Sequence, residues 1–144
     1  LFLNSGAIDY ACNTRDLKSL GGLREKLPVT ANTNLIASMS ISGIPPFNGF
    51  FSKLIIIFAC VEQGYIGYAL AAVIGSILTL ASFMKVQKFA FWGELKEKYR
   101  ALKEVPLTMQ VSMIGLAVIC LLGGLLLLPQ FKFFLNDAVS VILG

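Results

Sequence analysis

Histidine is absent from this 144-residue chain, and the three cysteines, Cys12, Cys60 and Cys120, lie far apart with no CxxC spacing. Those shortages argue against zinc, haem or iron–sulfur ligation within the chain, and no cofactor is expected. Cys60 and Cys120 sit in apolar stretches and read as small core residues. Charge is scarce as well. Asp, Glu, Lys and Arg make up 14% of the residues, whereas a soluble domain carries about 25%. The chain opens Leu1-Phe2-Leu3-Asn4, without Met and without the basic start and cleavage site of a signal peptide.

What is present is apolar: 56% of the residues are hydrophobic, and the mean hydropathy is +0.77. The expected fold class is an all-α integral membrane protein, a transmembrane helix bundle. The net charge of +4 could suggest nucleic acid, but the basic residues lie in loops between apolar spans, which points to membrane topology instead. No nucleic-acid partner is expected.

Residues 1–8 read as the tail of a helix, too short to span since about 20 residues are needed. They suggest a C-terminal piece of a larger protein or assembly. Residues 9–26 form a polar loop with Arg15, Lys18, Arg24 and Lys26, and Gly21-Gly22 as a turn signal. Pro28 suits a first helical turn. The run from Val29 to Gln63 would be roughly 50 Å long as one straight helix, against a hydrocarbon core of about 30 Å. Gly43-Ile44-Pro45-Pro46-Phe47-Asn48-Gly49 resolves the excess, giving a discontinuous helix over 28–62: a half-helix at 29–42, an unwound stretch at 43–49 and a second half-helix at 50–62. Further spans are expected at 65–91 and 106–128, the latter stopping at Pro129, with 131–144 as an interfacial tail. Gly115, Gly123 and Gly124 in the last span suit close helix packing.

Three crossings put loops 9–26 and 94–104 on one side. That side carries Arg15, Lys18, Arg24, Lys26, Lys96, Lys98, Arg100 and Lys103, while the other holds only Lys132. The asymmetry places both loops in the cytoplasm and the chain in the inner (cytoplasmic) cell membrane, as a multi-pass protein.

Lys53 is the only charged residue between Leu27 and Val61. An ammonium at the bilayer centre costs roughly 2.5–3.5 kcal/mol on insertion scales, so it persists where it meets water, a partner charge or a moving ion. Unwound backbone in a membrane is tolerated only where protein or water satisfies it, and broken helices recur in transporters. Burial penalises the ammonium form of a lysine, which suits proton exchange. The candidate site is therefore Lys53 as proton relay. Gly43, Pro45, Pro46 and Gly49 break the helix, and Asn48 and Ser52 hydrate it, with Ser38 and Ser42 helping to hold water. The competing reading is a structural pairing of Lys53 with a carboxylate on another helix.

Thr14-Arg15-Asp16 leading to Gly21-Gly22-Leu23, then GIPPFNGFFSK at 43–53, then Phe91-Trp92-Gly93-Glu94, resemble the proton-antiporter-like membrane subunits of respiratory complex I. The same subunits occur in Mrp-type Na+/H+ antiporters and energy-converting membrane-bound hydrogenases, and the proline- and phenylalanine-rich block is nearer to those two branches. The resemblance covers the C-terminal portion of that fold and implies proton translocation, with Na+/H+ antiport or redox energy supplied by partner membrane subunits. In that family a lysine or glutamate after the break serves the proton path, matched here by Lys53. The chain itself shows no redox, catalytic, quinone, metal or nucleotide site. The alternative is a non-translocating scaffold subunit of the same kind of complex.

Overall fold

The computed structural model describes the backbone of residues 1–143 and the side chains of residues 1–125. The described residues are helical with no strand. The helices are α1 (Phe2–Cys12), α2 (Pro28–Ser42), α3 (Asn48–Glu62), α4 (Ile66–Val86), which continues into a π-helical turn at Gln87–Phe91, and α5 (Leu107–Leu143). α1 runs to Cys12, beyond the residue 8 suggested by hydrophobicity, and Asn13 ends it in the left-handed conformation with its N–H on the Asp9 carbonyl. α5 carries helical backbone through Pro129, where the sequence reading ends the span. The interfacial placement of 131–144 lies outside the residues whose side chains are described.

Ile66–Phe91 and Leu107–Leu125 are each long and apolar enough to cross a membrane, with a mean hydropathy of 1.9. Val73, Ile74 and Ile77 of α4 are all exposed on the chain itself. Apolar surface on that scale demands lipid or neighbouring helices. α2 and α3 have 15 residues each, a rise of about 22 Å, so neither is long enough alone.

The chain divides into two compact units, Leu1–Ser38 with Ala81–Val118, and Met39–Leu80 with Ile119–Gly144. In the first unit Ile8, Cys12, Leu20, Leu23, Leu27, Ala31, Ala90, Phe91 and Tyr99 form one core. The two basic loops meet there: the Gly22 N–H donates to the Trp92 carbonyl at 3.2 Å, and Lys96 Nζ donates to the Lys18 carbonyl at 2.7 Å. The first turn of α2 is capped from the second loop. Glu104 accepts the Val29 N–H at 3.0 Å and the Thr30 hydroxyl at 2.9 Å. A carboxylate there answers an otherwise orphaned N–H and complements the positive end of the helix dipole. Thr33 Oγ1 lies 2.9 Å from Asn4 Oδ1, tying α1 to α2.

Among the described residues of the second unit, Phe47, Phe51 and Ala69 are the buried hydrophobics. They sit at the junction of α2 and α3 and at the start of α4.

Two outcomes follow from the first unit. Glu104→Ala should destabilise the purified protein by about 1–2 kcal/mol through loss of the cap, with Glu104→Gln intermediate because it keeps one acceptor, as read by thermal unfolding in detergent. Burial pushes the Cys12 thiol up against a smaller opposing pull from Lys98. At pH 7.5 maleimide should therefore label Cys12 on the order of tenfold more slowly than an exposed cysteine, with the rate climbing as pH rises.

Candidate functional site

The site is built where α2 stops. Gly43 has φ +79, a conformation that glycine adopts without strain. Its N–H donates to the Ser40 carbonyl at 3.1 Å, and the Ile44 N–H to the Met39 carbonyl at 3.2 Å. This pair of bonds is the Schellman closure of a helix C-terminus. It answers the Met39 and Ser40 carbonyls and leaves the Ser42 carbonyl for another donor. That donor is Lys53, whose Nζ lies 3.3 Å from the Ser42 oxygen. A cation at this position also meets the negative end of the α2 dipole. Lys53 is half-buried.

Close approach of backbone to backbone sets the geometry. A Cβ on Gly49 would collide with the Ser40 carbonyl oxygen, so the first turn of α3 lies directly against the last turn of α2. On the opposite side, a Cβ on Gly124 of α5 would strike the Pro46 carbonyl oxygen and come within 2.8 Å of Asn48 N. Gly124 is thus the seat for residues 46–48. Gly115 meets nothing within 4 Å, so the close packing expected of it is not provided among the described residues. The Pro45-Pro46 bond is cis.

The residues singled out from sequence come together unevenly. Gly43 lies against the Lys53 side chain, and Ser42 holds the amine through its carbonyl rather than its hydroxyl. Asn48 turns its side chain over Gly123. Ser52 turns its hydroxyl back towards the Asn48 and Gly49 carbonyls at 3.4 Å. Both are exposed, as are Pro45 and Pro46, whereas Ser38 and Ser42 are buried. Among the described residues the ion pairs are Arg15–Asp9 and Arg100–Glu97, and the Lys53 partner there is the Ser42 carbonyl. Sequence reasoning did not single out Glu104, Asn34 or Gln87. Their polar character within or beside apolar runs was the available signal.

The family described as NADH:quinone oxidoreductase/Mrp antiporter, TM, matches residues 1–79. The D subunit of the Na(+)/H(+) antiporter of Alkalihalophilus pseudofirmus is 35% identical over 143 residues, covering 99% of this chain and 29% of that protein. The A1 subunit of the Na(+)/H(+) antiporter of Staphylococcus haemolyticus is 34% identical over 137 residues, covering 87% of this chain and 17% of that protein. The structure of the Mrp complex from Dietzia sp. DQ12-45-1b aligns with a TM-score of 0.82 at 26% identity, over 99% of this chain and 34% of that one. The chain therefore spans less than a third of the length of the curated relatives it matches.

Because the Gly124 seat has no room for a side chain, Gly124→Val should force the 46–48 backbone away from α5 and destabilise the protein by about 1–3 kcal/mol. Gly115→Val, with open space around it, should cost the isolated chain little. Paired thermal unfolding measurements separate the two.

Proposed function

The chain belongs to the NADH:quinone oxidoreductase/Mrp antiporter transmembrane family of multi-pass membrane proteins, and from that premise we propose that it forms part of the translocating domain of a Na+/H+ antiporter subunit in a multi-subunit Mrp-type complex. Its partners are other membrane subunits and the remaining helices of the antiporter fold. The named relatives are antiporter subunits, which favours ion exchange over coupling to a redox reaction. Loops 9–26 and 94–104 face the cytoplasm in this reading.

α2 and α3 are the two halves of one discontinuous crossing, with residues 43–47 near its middle. Lys53 is the proton relay. The observation that carries this reading is the hydrogen bond from Lys53 Nζ to the Ser42 carbonyl. A carboxylate partner would lock the ammonium in place, whereas a neutral carbonyl at a helix end holds the charged amine more tightly than the neutral one without fixing it as an ion pair would. The positive charge also repels a second cation on the same path, which links proton and cation movement electrostatically. Gly43 and the Pro45-Pro46 pair end α2, and Gly49 lets α3 begin beside it. Asn48 and Ser52, exposed on this chain, are positioned to hydrate the break once neighbouring helices close around them.

Replacing Lys53 by Met removes the exchangeable proton and keeps most of the side-chain volume. Na+-driven proton movement in everted vesicles should fall to background while the complex still assembles. Unchanged transport in a correctly assembled complex would favour a scaffold role for the chain and overturn the relay.

A further inference from the structure

Two buried amide nitrogens in the first unit have no hydrogen-bond acceptor. Asn34 on α2 is 4% exposed and Gln87 on the π-helical turn is 1% exposed, and Asn34 Nδ2 and Gln87 Nε2 each lack a hydrogen-bond acceptor. Leaving such a donor dry costs about 1–3 kcal/mol, and native structures rarely tolerate it. The two belong to elements that share one core, since Leu27 and Ala31 cluster with Ala90 and Phe91. Asn34 lies one turn beyond Ala31, and Gln87 one turn before Ala90. The elements run in opposite directions, so both amides stand about one turn further from the loops than that shared core. The turn holding Gln87 is a π-helix, closed by the Trp92 N–H on the Gln87 carbonyl at 3.0 Å, a geometry that recurs at functional positions.

Asn34 also has polar neighbours along its own helix. Thr30, Asn34 and Ser38 follow at i, i+4 spacing, and all three are buried. Residues so spaced form one row along a helix. Thr33 and Asn4 are buried beside them and bonded together. At the loop end of the row, Thr30 donates its hydroxyl to the half-buried carboxylate of Glu104. Water beside either amide would supply the acceptor that its nitrogen lacks, and buried water of this kind makes two to four hydrogen bonds.

We propose that ordered water at Asn34 and Gln87 completes a proton inlet that begins at Glu104 and follows the Thr30–Asn34–Ser38 row. This rests on the reading of the chain as part of a translocating subunit. Each water accepts one proton and gives up another, so no charge accumulates along the row. The amides do not titrate; they hold the waters in line. Asn34 and Gln87 are positioning residues, and Glu104 is the ionisable group at the mouth.

The test uses the assembled complex. Asn34→Leu removes an unanswered amide and keeps its size, so thermal stability should hold or rise. Transport in everted vesicles should nevertheless fall by about tenfold, the scale of one lost hydrogen-bonding group, and Asn34→Ser should restore part of it. A high-resolution structure of the complex should show water density beside Asn34 and Gln87. Wild-type transport by Asn34→Leu, or a dry contact at both amides, would overturn the inlet. Loss of transport in Lys53→Met together with normal transport in Asn34→Leu would sink the inlet alone and leave the relay standing. If Lys53→Met transports normally, the relay falls, and the Asn34→Leu result and the water density still decide the inlet.

Discussion

A carbonyl at the end of a helix must find a donor, and at Ser42 the donor is a charged side chain eleven residues further on. That bond depends in turn on the packing around it. The Schellman closure at Gly43 and Ile44 consumes the Met39 and Ser40 carbonyls, and the Ser42 oxygen is left to accept from Lys53. The contact of Gly49 with Ser40 then brings α3 close enough for the Lys53 stem to lie along Gly43. Without that approach, the amine could not reach the end of α2.

The other end of α2 follows the same logic with the opposite sign. Glu104 answers the first turn as Lys53 answers the last. An anion stands at the positive end of the helix dipole and a cation at the negative end, each favourable by a few tenths to about one kcal/mol at exposed sites. α2 is rich in Thr, Asn and Ser, which weakens its intrinsic helix propensity. Interactions at both ends compensate for a sequence chosen for its polar interior.

The membrane character of the chain could be read from composition, because long apolar runs with charge confined to the loops between them suit a bilayer and little else. GIPPFNGFFSK carried its own signals, since Gly43 supplies a positive φ and prolines resist helical continuation. Contacts that link distant parts of the chain were not legible. Nothing local in Glu104 announces that it caps a helix beginning at Pro28. Gly115 and Gly124 look alike in sequence, yet only Gly124 meets another backbone. Nothing local in Asn34 or Gln87 announces that their buried amide nitrogens lack acceptors. Hydroxyls at 38, 42 and 52 were all candidates for holding water, but Ser38 and Ser52 both turn back onto carbonyls of their own helices, a choice between rotamers that sequence does not record.

Glu104 has a mechanical consequence as well. Its carboxylate grips the opening turn of α2, and the chain that carries it enters α5 just beyond Pro106. It therefore acts as a tie-rod between two helices far apart in sequence. An axial slip of α2 would have to carry or break that pair of hydrogen bonds.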